Sequence, residues 1–118
     1  MSKNEIKDLK IKTSSCARTI KDLEYSKKEI AKQVDRIQQY TDDPERDIHD
    51  VKKQEEVLAE MHAGVPTEID QLDKYLNLLQ DIIEQYADNA DIKATEEYSK
   101  AIEVERQAAK VLEEYRPS

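Results

Sequence analysis

Glycine occurs once in 118 residues, cysteine once, proline three times, and phenylalanine and tryptophan not at all. One glycine, Gly64, cannot form a phosphate-cradling loop or a dinucleotide fingerprint, each of which needs several glycines at fixed spacing. Nucleotide-binding α/β folds are thereby excluded. The lone Cys16 rules out an internal disulfide and a multi-cysteine zinc site, and it points to a reducing compartment. No apolar run approaches the ~18–20 residues that cross a bilayer, and no apolar signal segment follows Met1. A soluble protein of the cytoplasm is expected.

Large apolar side chains are also few. Isoleucine, leucine and valine number 11, 8 and 6, barely above the roughly 20% below which highly charged chains stay disordered. Alanine, glutamate, lysine, leucine and arginine supply 52 residues, close to the ~50% typical of coiled coils. So small an apolar complement is used most economically in stripes. The composition implies one all-α domain over residues 1–118, an elongated, coiled-coil-like bundle.

The stripes are visible. Ile6, Leu9, Thr13, Cys16, Ile20, Leu23, Lys27, Ile30, Val34 and Ile37 follow alternating steps of three and four, a heptad seam on one long helix. Ser2 with Glu5 reads as a capping box, giving a first helix over about 3–40. Lys27, the one charge in the seam, is expected to lay its stem on apolar surface and keep its ammonium wet. Thr41 to Asp47, with Pro44, forms a breaker. A second helix over about 48–86 carries Val51, Gln54 or Glu55, Leu58, Met61, Val65, Ile69, Leu72, Leu76, Leu79, Ile83 and Tyr86. Two steps of four meet where the chain reads Gly64-Val65-Pro66, so a kink is expected there, with a reversal of direction as the alternative. Ala87 to Asp91 is the next turn. A weaker third helix over about 92–115 points Tyr98, Ala101, Ile102, Ala109, Leu112 and Tyr115 inward, before a frayed Arg116-Pro117-Ser118. Short connections make successive helices antiparallel. The expected architecture is an antiparallel three-helix bundle with its second helix kinked near Pro66.

Catalytic and metal chemistry find little support. His49 and His62 stand thirteen residues apart, whereas helical metal ligands lie three or four apart. Glu55-Glu56 and Glu96-Glu97 read as solvated faces, and Cys16 as a small buried hydrophobe without a histidine beside it. Neither catalytic residues, metal nor cofactor are expected. Charge is uneven: residues 1–41 carry a net of +4, residues 42–91 a net of -11, and residues 92–118 a net of -1. The basic first helix beside the acidic second gains mutual support, and the same bipolarity can orient a protein partner. A total of -8 opposes nucleic acid and anionic membranes. Six tyrosines are the only aromatics; Tyr40, Tyr86 and Tyr115 lie near helix ends, while Tyr25 and Tyr75 fall outside the stripes as flank residues or interface anchors. Ile11, Leu78 and Ile82 lie off the seam, and their exposure would favour a weak homodimer at high concentration.

Two ordered strings go beyond periodicity. Leu9-Lys10-Ile11-Lys12-Thr13, followed by Arg18, Lys21, Tyr25 and Lys28-Glu29, lies on the first helix. Asp50-Val51-Lys52-Lys53-Gln54-Glu55-Glu56-Val57-Leu58-Ala59-Glu60 opens the second, with Val65-Pro66 beyond it. In content, order and separation these resemble the tubulin-specific chaperone A family, also called tubulin folding cofactor A. The resemblance spans roughly residues 6–86, and the third helix matches only in type. Met61-His62-Ala63-Gly64 departs from the family, which is usually more apolar there. The resemblance implies a non-enzymatic, three-helix-bundle cofactor of the cytoplasm and cytoskeleton. It would capture quasi-native β-tubulin after release from the cytosolic chaperonin and yield it to other tubulin folding cofactors. The competing class is a structural or vesicle-trafficking helical bundle; against it, the chain is expected to be complete, with no tandem copy and no membrane anchor. On the resemblance, part of the partner-binding surface falls on Lys52, Lys53, Gln54, Glu55 and Glu56, joined by Tyr25 and Lys28 of the first helix.

Overall fold

The computed structural model describes residues 3–115, and every regular element among them is helical. Helix α1 is Lys3–Asp42, α2 is Ile48–Gln85, α3 is Ala90–Lys93 and α4 is Glu96–Tyr115. The all-α expectation is met, but the helix count differs. The anticipated third helix is divided: Asn89 Oδ1 accepts from the Ile92 N–H to start α3, and Thr95 Oγ1 accepts from the Tyr98 N–H to start α4. Each side chain satisfies a donor that the first turn of a helix leaves unpaired. The Ser2 half of the capping box and Arg116-Pro117-Ser118 lie outside the described residues.

Between α1 and α2, the Asp43 carboxylate accepts from the Glu45 N–H. Asp47 Oδ1 then accepts from the N–H groups of His49 and Asp50, capping α2. Through Gly64-Val65-Pro66, α2 is continuous, so the chain does not reverse there. Pro66 takes one donor away from the His62 carbonyl. Both residues are exposed, which leaves water free to take its place.

Two compact units are distinguished, Met1–Lys21 with Ile69–Ser118, and Asp22–Glu68. In the first, apolar side chains form the core. Leu9, Cys16 and Ile20 of α1, Leu72, Leu76, Leu79, Ile82 and Ile83 of α2, Ile92 of α3, and Tyr98, Ala101, Val104, Ala108 and Leu112 of α4 are all buried. Thr13 and Thr19 join them by donating their hydroxyls to the Leu9 and Ser15 carbonyls. Several expectations are corrected here. Ile82 is buried, at 3% exposure, while Ile11 and Leu78 are exposed as anticipated. Ile102 and Ala109 face solvent, and Val104 and Ala108 take the inward positions. The small Ala101 and Ala108 fit the close approach that a helix with few large side chains needs. Tyr86 is buried beside the start of α1; burial raises its hydroxyl pKa, the Glu5 and Asp8 carboxylates push the same way, and Lys12 opposes them. Residues early in α1 thus meet the end of α2, and the two run antiparallel.

The second unit is a hairpin of α1 and α2 joined by polar layers. Gln33 Nε2 donates to the Gln54 carbonyl at 2.9 Å and to Gln54 Oε1 at 3.0 Å. Ser26 Oγ donates to the Glu68 carboxylate, 2.8 and 2.9 Å from its two oxygens. Ascending numbers on α1 meet descending numbers on α2, which is an antiparallel pairing. Beyond Leu23 the α1 seam runs Ser26, Ile30, Gln33, Ile37 and Tyr40, not through Lys27 and Val34 as expected. Gln33 is 2% exposed, whereas Val34 is 48% exposed and Lys27 lies outside. On α2, half-buried Val65 is followed by two half-buried residues, Ile69 at the expected step of four and Glu68 at a step of three. The Arg46 guanidinium sits 4.1 Å from the Tyr40 ring centroid, a cation–π contact at the turn.

Candidate functional site

The run singled out for partner binding begins one turn inside α2, held in place by the Asp47 cap. Val51, Gln54 and Leu58 turn partly inward. Lys52, Lys53, Glu55 and Glu56 are exposed, and none of them has a hydrogen-bond or ion-pair partner among the described residues. Lys52 and Glu56, though spaced for an i,i+4 pair, do not close one. Four unpaired charges of both signs therefore stand on consecutive faces of a rigid helix. Gln54 differs from its neighbours. Its carbonyl and side-chain oxygens are taken by Gln33, so its structural work is to hold the hairpin.

Tyr25 and Lys28 are exposed on α1, Tyr25 at 65%. The structure does not bring Tyr25 together with the run. Residues 52–56 face the level of Gln33, and Tyr25 lies eight residues earlier, about 12 Å along the helix at 1.5 Å per residue. Lys28 is nearer, about 7 Å from that level by the same rise. Tyr25 belongs instead to a groove of about 320 Å³ between α1 and α2, lined also by Ser26, Glu29, Ile30, Glu60, Met61, Gly64 and Glu68. Sequence reasoning missed this groove. Its one local signal was the unique glycine among helix-forming residues, and that was read only as a weak point of the helix.

In the first unit, Lys10, Thr13 and Ser14 of α1 share a smaller groove, about 200 Å³, with Glu96, Glu97 and Lys100 of α4. Its charges are mixed, and the Thr13 hydroxyl is committed to the Leu9 carbonyl. Burial pushes the Cys16 thiol up to about 11, which holds it protonated and unreactive. His49 and His62 are both exposed. No grouping of three His, Cys, Asp or Glu side chains suited to a metal occurs among the described residues. No helix there is long and apolar enough to cross a membrane.

The surface features are thus charged, exposed side chains on a helical scaffold, chemistry for recognising another macromolecule. Comparison with known proteins agrees. The family model described as tubulin binding cofactor A matches residues 4–104, reaching well past the strings near residues 6–86 into α4. A Tubulin-specific chaperone A from Dictyostelium discoideum is 29% identical over 85 residues, covering 72% of this chain and 75% of that protein. The crystal structure of tubulin folding cofactor A from Arabidopsis thaliana superposes with a TM-score of 0.82 at 28% identity, over 92% of this chain and 99% of that one. The human tubulin chaperone cofactor A structure gives 0.69 at 29% identity, over 89% and 98%. The chain belongs to the tubulin binding cofactor A family.

Proposed function

We propose that this chain is a tubulin folding cofactor that captures quasi-native β-tubulin after its release from the chaperonin, holds it in the cytoplasm, and passes it to the cofactors that assemble the α/β heterodimer. The family match over residues 4–104 carries the reading. The surface supports it, because capture without chemistry needs exposed, uncommitted groups. Lys52, Lys53 and Glu56 are such groups, and so are Tyr25 and Lys28. Charges of defined order at an interface set specificity and encounter rate more than affinity, which suits a protein that must later release its cargo.

The test is retention on the immobilised chain from a mixture holding both tubulins. β-Tubulin is expected to stay without α-tubulin. Combined reversal of Lys52→Glu, Lys53→Glu and Glu56→Lys is expected to lower retention at least tenfold while leaving helicity and melting temperature near wild type, since exposed substitutions usually cost under ~0.5 kcal/mol each. No retention by the wild-type chain would overturn the function. Undiminished retention by the triple variant would move the contact off this run.

A further inference from the structure

The groove of the second unit has walls of unlike character. Tyr25 and Ile30 on α1 and Met61 on α2 give it apolar surface, and Tyr25 stays 65% exposed. Its charged lining is of one sign: Glu29, Glu60 and Glu68 contribute three carboxylates, and no lysine, arginine or histidine lines it. Two of the three are lightly engaged. Glu29 meets Lys32 at 3.4 Å in a largely exposed pair, and Glu68 accepts the single hydroxyl proton of Ser26, leaving most of its acceptor capacity. Glu60 has no partner among the described residues. The floor is open at Gly64, where an added Cβ would meet nothing within 4 Å. The glycine has no positive φ, so backbone conformation does not demand it. Its effect is to leave space.

We propose that this groove receives one arginine or lysine side chain of the protein partner. The aliphatic stem lies along Ile30 and Met61 in the space above Gly64, and the cationic head sits among Glu29, Glu60 and Glu68 against the Tyr25 ring. Each part of the lining matches a part of such a side chain. Long cationic residues bury their stems on apolar surface while keeping the head solvated. An exposed tyrosine face attracts a cation, and carboxylates accept charge-assisted hydrogen bonds from it. An acidic partner residue would meet three like charges, and a purely apolar one would leave Glu60 desolvated without compensation. This inference rests on the reading that the chain captures a protein partner, and adds a contact that begins at Glu60, about 6 Å beyond Glu56 by helical rise, and extends past Gly64.

The experiment compares Gly64→Ala, Gly64→Leu and Glu60→Gln in the full chain by β-tubulin retention. A second readout follows backbone amide shifts on titrating a helical peptide that carries one arginine within an apolar stripe. Gly64→Ala is expected to retain β-tubulin as wild type does, because its methyl has room. Gly64→Leu is expected to fill the groove, lowering retention at least tenfold with the melting temperature unchanged or raised, and to abolish peptide-induced shifts at Tyr25 and Gly64. Glu60→Gln is expected to lower retention several-fold and flatten its salt dependence. Equal retention by Gly64→Leu and wild type would overturn the groove while leaving the proposed function standing. Loss with Gly64→Leu but none with Glu60→Gln would make the occupant apolar and overturn its cationic character. Should the wild-type chain retain no tubulin, the function falls and the peptide decides the groove: shifts confined to Tyr25 and Gly64 and removed by Gly64→Leu sustain it, and their absence overturns it.

Discussion

In the first unit Leu9, Cys16, Leu72, Leu79, Ile92 and Ala101 are wholly closed off from water among apolar neighbours; in the second, Leu23 and Gln33 alone among the described residues are buried. One chain thus holds its helices in two ways. Apolar burial contributes roughly 25 cal/mol per Å² and adds up over many side chains. A cross-helix hydrogen bond contributes a net of only about 0.5–1.5 kcal/mol, since water offered the same groups partners in the unfolded chain. Polar layers such as Ser26–Glu68 and Gln33–Gln54 therefore specify which residues face each other more than they add stability. The second unit also leaves Tyr25, Val34, Ile48 and Val57 exposed, apolar area that its own hairpin does not use. Surfaces that must adapt to a partner are drawn from the less stable parts of a protein. Both proposed contacts lie in this unit.

The largest expected effect separates the two kinds of core. Leu76→Ala, in the first unit, should destabilise by about 2–5 kcal/mol, through lost transfer energy and the cavity left behind. Leu58→Ala, at a half-buried seam position of the second unit, should cost about half as much or less. Urea titration followed by circular dichroism measures both. Equal losses would erase the distinction. Amide hydrogen exchange sharpens it: the α1 amides near Leu9 and Cys16 should be better protected than those near Ile30 and Gln33.

A second effect belongs to the apolar core alone. The Cys16 thiol is raised to about 11 from 9.0 by burial, so the folded state holds its proton after the unfolded chain has lost it. The associated stability is complete below the unfolded pKa and falls as pH rises from about 9 to about 11, by on the order of 2 kcal/mol over that window. Denaturant midpoints across the range, compared with those of Cys16→Ala, isolate the contribution from other groups that titrate there. A wild-type slope no steeper than the variant's would show that the thiolate meets no penalty at this site.

How far the sequence was legible follows the same division. The Leu9 to Leu23 seam and the Leu72 to Tyr86 stripe were readable because apolar periodicity reports apolar cores. Past Leu23 the periodicity pointed to Lys27 and Val34, one residue away from the Ser26 and Gln33 positions that face α2. A serine or glutamine in a seam is acceptable only when its partner stands opposite, and that pairing joins residues 42 and 21 positions apart. In α4 the error was local: Ile102 outranks Ala108 in hydrophobicity, yet close helix approach favours the smaller side chain. The α3–α4 break rests on Thr95, a recognisable cap whose signal was weaker than the stripe running across it. Exposure of Lys52, Lys53 and Glu56 was read correctly, because Val51 and Leu58 already occupied the inward phase. The diversion of Gln54 and the groove at Gly64 depend on which α1 residues stand opposite, and no local pattern contains that.

Smaller effects probe the polar layers. Gln33→Leu alone leaves the Gln54 amide without its partner in a part-buried position and should cost about 1–3 kcal/mol. Replacing Gln33 and Gln54 together by leucine removes both polar groups and should be neutral or stabilising. A double-mutant cycle by urea denaturation gives the coupling directly. If the double variant is no more stable than the single, the layer contributes more than specification of register. Stabilisation accompanied by loss of a single well-dispersed amide spectrum would show that the glutamines fix the alignment of α1 on α2.

The smallest effect has the opposite sign. Gly64→Ala should stabilise the chain by about 0.5–1 kcal/mol, because glycine inside a helix surrenders more backbone freedom on folding than alanine does. Two structural facts remove the usual reasons for glycine: Gly64 has no positive φ, and a Cβ built on it meets no atom within 4 Å. It lies in the second unit within α2, so slower amide exchange should be confined to residues around Met61 to Glu68 while the Leu72–Ile83 amides stay as they are. Thermal melts together with residue-resolved exchange make the measurement. Destabilisation would mean that α1 approaches Gly64 more closely in solution than the groove allows, and the polar hairpin would then be the more tightly packed of the two units at that level.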